Sequence, residues 1–447
     1  MNKNKKRVRE IALELLESIE KNQAYSNLLL NQAINRNQIK GPDVGLLTEL
    51  VYGTLQRRDT LDYYLQPFLK KKVDQWVRIL LRLSLYQMVY LDKIPERAII
   101  FEAVEIAKKR GHKGISSMVN GVLRSVQRQG ISTFDQITDP IKRVAIETSH
   151  PVWLVERWVK QFGFEKTKAM CLENLIPPVQ TARVNTVKTT RDKVIESFQA
   201  EGIDAKPSEI LPVSIQISKG NIAHTDVYKN GDVSIQDESS MVVAYALRLE
   251  EGFHVLDMCA APGGKTAHIA EFLHGTGVVD ALDLHEHKVK LIRENADRLQ
   301  LDNIVERTMD SREASEYLEK TSYDRVLVDA PCSGLGVLKR KPDIKYTKQL
   351  KDIERLSEIQ ASLLDEAAKL VKVNGILVYS TCTVDQLENE KQMEDFLQRH
   401  PEFEPVNVHV PETLNALVEK DQYTLQIFPQ DFGSDGFFIS SVRKKKE

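Results

Sequence analysis

Apolar residues recur at helical spacing through the first part of the chain. Val8, Ile11, Ala12, Leu15, Leu16 and Ile19 form one stripe, and Leu46, Leu47, Leu50, Val51 and Leu55 a second. Trp76, Ile79, Leu80, Leu83, Met88 and Val89 carry a third. Steps of three and four residues put each set on one helix face, which predicts amphipathic helices around a shared core. Ile99, Val104 and Ala107, then Met118, Val119, Val122 and Leu123, continue the pattern. Gly41-Pro42, Pro67 and Lys93-Ile94-Pro95 punctuate it. Residues 1–130 are therefore expected to be all-α.

The pattern then changes twice. Residues 131–170 read as a helical bridge containing Ser149-His150-Pro151 and the aromatic residues Trp153, Trp158 and Phe162. Over 171–235 short β-like runs, Thr181 to Val187 and Val213 to Ile217, surround a helical Arg191 to Ala200, which predicts a small α+β domain. From 236 to 447 apolar strands alternate with helices. The strands are His254 to Met258, Gly277 to Asp283, Tyr323 to Asp329 and Gly375 to Ser380, with a late one at Phe437 to Val442. The helices are Thr266 to Leu273, Glu286 to Leu299 and Leu350 to Val371. Repeated β-α with buried strands predicts a parallel sheet covered on both faces.

A length of 447 residues suits two or three such domains, and 42% apolar with 28% charged residues is a globular composition. A net charge of −2 announces no nucleic-acid partner, but local basic runs do not need one. They are Lys3 to Arg7, Lys70 to Lys72, Lys108 to Lys113, Lys339 to Lys345 and Arg443 to Lys446. Taken singly, each is first of all a solvated surface. The start, MNKNKKRVREIALELL, lacks the apolar core of a signal peptide, and no stretch reaches the length of a membrane span, so a cytoplasmic protein is expected. Cys171, Cys259, Cys332 and Cys382 are far apart with no CxxC pair, which argues against a disulfide framework and a metal site.

Three stretches carry chemistry. In VLDMCAAPGGKT, Val255 to Thr266, a buried strand runs into a glycine turn and a helix. Such a turn lets backbone approach a ligand at a helix N-terminus, and Asp283 then closes the next strand at the interval of a ribose-hydroxyl acceptor. A strand-end Asp can instead cap the following helix. The pattern is neither GxGxxG nor GxxxxGK[ST], so dinucleotide and P-loop readings are weak. In VLVDAPCSGLGVLKRKPDIKY, Val326 to Tyr346, Asp329, Pro331 and Cys332 follow a strand. In LVYSTCTVDQLENE, Leu377 to Glu390, a strand again ends in a cysteine, Cys382. Two strand-end cysteines without metal-ligand spacing suggest paired thiol chemistry, although a buried cysteine is more often plain packing.

The set MCAAPGGKT, DAPCSGLG and STCTVDQLENE resembles the Nop2/Sun family of RNA 5-methylcytosine methyltransferases over about residues 150–445. Residues 5–128, with RxxAxxxL near the start and NGVLR at Asn120 to Arg124, resemble NusB-type RNA-binding domains. A helical module for protein contacts is the alternative for that segment. The resemblance implies a NusB-like all-α N-terminal domain, a small α+β (RRM-like) middle domain and a Rossmann-like catalytic domain. It implies S-adenosylmethionine as methyl donor and small-subunit (16S) ribosomal RNA as partner, with neither membrane nor metal.

By the same resemblance, Cys259, Ala260, Ala261, Pro262, Gly263, Gly264 and Lys265 match the cofactor loop, Asp283 the ribose-binding acid and Asp310 the acid near the adenine. Asp329 matches the acid placed at both cofactor and base, Cys382 the nucleophile, and Cys332 the thiol that assists product release. Thr383 stands where a serine is common. Three alternatives remain at this point: another RNA (tRNA or 23S rRNA) as substrate, a DNA cytosine methyltransferase with Cys332 as nucleophile, and a non-catalytic RNA-binding scaffold.

Overall fold

The structure is a computed structural model that describes residues 7–22, 26–415 and 422–445. Among these, no helix is long and apolar enough to cross a membrane. The chain divides into two compact units, one running to Ile176 and taking in Leu338–Thr347, the other comprising Pro177–Val337 and the residues from Lys348 onward.

In the first unit, the stripes predicted from spacing become helices Val8–Asn22, Pro42–Gln56, Gln75–Tyr90, Glu96–Arg110 and Lys113–Gln129. Their buried faces, including Leu16, Leu47, Leu50, Leu80, Leu83, Val119 and Leu123, form one core. Buried Arg82 is compensated by a two-pronged bond to Asp62 at 2.7 and 2.6 Å and by Glu20 at 2.6 Å. The expected bridge does not stand apart. Helices Pro140–Glu147, Val152–Phe162 and Phe164–Glu173 belong to this same unit, and Leu154, Val155 and Trp158 are fully buried. The first strand of the α+β segment follows at Gln180–Val184.

Leu338–Thr347 overturns the reading of one basic run as solvated surface. Lys345 is 1% exposed, donates to the Gln56 carbonyl at 2.9 Å, and is brought down to about 7 by burial. Lys339 is buried against Glu173 at 2.6 Å, and Tyr346 lies under the Arg58 guanidinium. Other runs are neutralised at the surface: Lys108, Lys109 and Arg110 pair with Glu105, Glu10 and Glu17. Arg443 pairs with Glu404, while Lys444 is buried on the Ala368 carbonyl. Lys70–Lys72 stays exposed. Lys3 to Lys6 and Lys446 lie outside the described residues.

The second unit opens with four antiparallel strands: β1 (Gln180–Val184), β2 (Asp204–Pro207), β3 (Ser214–Lys219) and β4 (Val233–Ile235), in the order β2-β3-β1-β4. Helix Arg191–Ala200 covers them through Val194 and Phe198. The larger sheet contains β5 (His254–Asp257), β6 (Val278–Asp283), β7 (Ile304–Thr308), β8 (Tyr323–Asp329) and β9 (Val371–Thr381). Beyond them come β10 (Phe403–Pro405), β11 (Thr424–Ile427) and β12 (Phe437–Lys444). Strands β5 to β9 are parallel, but β12 runs antiparallel to β9 and carries β10 and β11, so the sheet is mixed rather than wholly parallel. The order β10-β12-β9-β8-β5-β6-β7 reverses direction at β5 and β8. The carboxyl ends of such neighbouring strands form a crevice where open α/β sheets hold ligands.

Arg183 of β1 ties the small sheet to this crevice. Fully buried, it bonds Glu271 at 2.8 and 3.0 Å and the Gly264 carbonyl at 2.9 Å. Removing one member of a buried pair strands the other charge, at a cost of roughly 3–5 kcal/mol. Arg183→Ala is therefore expected to lower the unfolding free energy of the second unit by about that amount in denaturant titration. A loss below about 1 kcal/mol would show that Glu271 does not need its partner.

Candidate active site

The glycine turn after β5 brings the first site elements together. Gly263 adopts φ +98°, and a Cβ there would sit 3.2 Å from the Ile292 Cα, so only glycine fits without strain. Helix Gly264–Phe272 starts at once, and nothing lies within 4 Å of where a Gly264 Cβ would be. The helix N-terminus thus borders open space.

Acidic residues end the successive strands. Asp257 on β5 is fully buried, and Thr266 donates to one of its carboxyl oxygens at 2.7 Å. Burial raises this carboxyl to about 7. Asp283 on β6 accepts the His285 N–H at 3.1 Å, with Lys288 at 3.8 Å, and so turns the chain before helix Glu286–Leu299 without capping it. Asp310, two residues past β7, is engaged by Arg312 on both oxygens, which holds it below the usual carboxylate value. Asp329 on β8 accepts Lys265 at 2.7 Å on one oxygen and Ser380 at 2.8 Å on the other. Partial burial of Lys265 works against its charge, but Asp329 and then Cys382 outweigh it and raise the ammonium above its usual value.

Next to Asp329, the loops after β8 and β9 bring Cys332 and Cys382 together, Sγ to Sγ at 3.3 Å. Their positions are over-determined. Buried Glu388 accepts the Ser333 N–H at 2.8 Å and the Gln360 amide at 3.1 Å, and Gln360 also donates to the Pro331 carbonyl at 3.0 Å. Asn389 donates to the Thr383 carbonyl at 3.0 Å and accepts from Thr381 at 2.6 Å. Gly336 donates to the Cys382 carbonyl at 3.0 Å, and a Cβ at Gly336 would lie 2.0 Å from the Gly436 oxygen. The Cys382 thiol, then burial, push Cys332 well above the ordinary thiol value. Burial likewise raises Cys171 to about 12 and Cys259 well above its ordinary value.

Sequence reasoning did not assign Asp257, Ser380, Glu388, Asn389 or Gln360 a part. Asp257, Ser380, Glu388 and Asn389 lie inside the motif stretches, so proximity was a signal, but a buried acid that braces a loop reads like any polar turn residue. Gln360 sits on helix Leu350–Leu370, far from any motif, and carries no such signal.

Family models match three segments: the NusB family over residues 6–128, a Methyltr_RsmF/B-like ferredoxin-like domain over 150–223, and 16S rRNA methyltransferase RsmB/F over 244–443. The chain is 56% identical over 443 residues to the "Probable ribosomal RNA small subunit methyltransferase B" of Bacillus subtilis (strain 168), covering 98% of this chain and 99% of that one. It is 32% identical to the "Ribosomal RNA small subunit methyltransferase B" of Photorhabdus laumondii, covering 99% and 100%. Among solved structures, a methyltransferase homolog protein from Pyrococcus horikoshii is similar at 25% identity and TM-score 0.58, over 69% of this chain and 100% of that one.

The buried Asp257 sets a pH dependence whose sign follows from its raised value. Burial favours the protonated carboxyl, so its contribution to stability is full below the unfolded value near 3.8 and is lost as pH rises through about 7. Asp257→Asn keeps the shape without the titration. Wild type should therefore lose stability relative to this variant between about pH 4 and 7 in thermal unfolding. A gap that stays constant over that window would contradict the assignment.

Proposed function

The chain belongs to the 16S rRNA methyltransferase RsmB/F family, and we propose that it methylates C5 of a cytosine in 16S rRNA through a covalent bond from Cys382 to C6. The observation that carries this reading is the pair of thiols in contact at 3.3 Å beside an acid already held by a lysine.

The residues at the crevice fit S-adenosylmethionine. The loop Cys259–Lys265, with its left-handed Gly263 and open helix N-terminus, would accept it. Asp283 keeps a second carboxylate oxygen for ribose hydroxyls, and Asp310 and Asp329 border the same strand ends. When bound, the cofactor supplies an electrophilic methyl group.

Cytosine C5 is too weak a nucleophile to take that methyl unaided. Attack of the Cys382 thiolate on C6, with a proton on N3, moves electron density to C5. Lys265 favours the thiolate of Cys382, since the two stabilise each other's charges. Contact with Cys382, then burial, raise Cys332 well above the ordinary thiol value, so it keeps its proton. Asp329 can accept the N3 proton's hydrogen bond and keep Lys265 and Ser380, because each carboxylate oxygen has two acceptor sites. After methyl transfer a base removes the C5 proton, the C5–C6 double bond re-forms and Cys382 leaves as thiolate. Cys332 serves that release as base or relay. The target base must be unpaired or flipped to enter such a crevice. The exposed run Lys70–Lys72 offers the helical unit a place for RNA phosphates.

The two thiols should separate cleanly in mutants. Cys332→Ala is expected to add to C6 and to methylate but to stall at release, leaving a protein–RNA adduct that survives denaturing electrophoresis. Cys382→Ala and the double variant should form none and show no methyl transfer. An adduct seen only with Cys382→Ala would invert the assignment.

A further inference from the structure

The first unit contains a cavity of about 480 Å³ that the methyl-transfer chemistry does not use. Arg57, Tyr64, Tyr90, Phe134, Glu147 and Leu172 are among its lining residues. Three of them are aromatic: the Tyr64 and Phe134 ring centroids lie 5.6 Å apart, and the Arg57 guanidinium stacks 4.8 Å above the Tyr90 ring. Such walls offer π faces to a flat partner.

Its two charged groups are unspent. Among the described residues, neither the Arg57 guanidinium nor the Glu147 carboxylate takes part in an ion pair, with each other or with any other residue. The buried Arg82 of this unit, by contrast, is engaged by the carboxylates of Asp62 and Glu20. An aromatic cleft that keeps one donor fork and one acceptor pair in reserve asks for a planar ligand with both kinds of group.

We propose that this cavity binds an unpaired guanine base of RNA. Guanine alone among the four bases presents two adjacent donors, N1–H and the N2 amine, which match the two oxygens of one carboxylate. Its O6 and N7 acceptors suit an arginine fork. Adenine and cytosine each set a ring-nitrogen acceptor beside their amine, which a carboxylate repels, and uracil has a single donor between two carbonyls. Stacking of unpaired bases on Tyr, Phe and Arg is the usual way proteins hold single-stranded RNA. The inference rests on the RNA-methyltransferase reading above and adds a second, non-catalytic contact with the substrate class.

The test uses the full chain and two labelled single-stranded RNA probes of adenosines, one with a central guanosine and one with inosine, which lacks only the N2 amine. Fluorescence anisotropy should show the guanosine probe binding about tenfold more tightly, the scale of one charge-assisted hydrogen bond. Glu147→Gln should abolish the difference, and Arg57→Gln should weaken both probes. Equal binding of the two probes by wild type, or a difference that survives Glu147→Gln, overturns the proposal. Methyl transfer to 16S rRNA is measured on the same preparations. A chain that methylates but does not discriminate refutes the guanine site alone, whereas one without methyl transfer refutes the reading on which it rests.

Discussion

The ion pair between Lys265 and Asp329, at 2.7 Å, joins the glycine loop after β5 to the end of β8, and Ser380 extends the link to β9. Three strand ends are thereby held by one carboxylate. Other properties of the site follow from it. The charge of Asp329 adds to burial in raising Asp257, and Asp329 together with Cys382 raises the Lys265 ammonium. Opposite charges in such a water-poor setting act more strongly than they would at the surface.

Around this pair the fold supplies rigidity rather than reactivity. Glu388 is raised by burial, yet it remains tied to Ser333 and Gln360, and Asn389 braces the turn that follows β9. Together they fix two loops from separate strands so that their thiols touch. Arg183 does the same for the glycine turn after β5 from the small sheet. The proposed reaction, which forms and breaks a carbon–sulfur bond, needs its two thiols at a fixed separation, and this bracing would supply it.

Much of this was legible in the chain. Helical spacing placed Leu16, Leu50 and Leu123 in one core, and the bounds of helix Glu286–Leu299 and strand Tyr323–Asp329 follow directly from pattern. Strand β7 escaped notice because Ile304–Thr308 is short and half polar. The burial of Lys339 and Lys345 was hidden because charge in a sequence argues for solvent, and only a long-range partner such as Glu173 or the Gln56 carbonyl reverses that. The same limit applies to Glu388 and Gln360, whose work depends on neighbours far along the chain. The cysteines were legible as strand-end residues; their contact was not, since it depends on β8 and β9 being adjacent in parallel.

The central claim is that Cys382 bonds to C6 of cytosine. Replacing the C5 hydrogen of the target cytosine by fluorine blocks release after methyl transfer, so the wild-type chain should be trapped on its RNA. Mass spectrometry of the digested adduct then identifies the attached cysteine. The account predicts a methylated fluorocytosine on the peptide that contains Cys382; attachment to the peptide that contains Cys332 would contradict it.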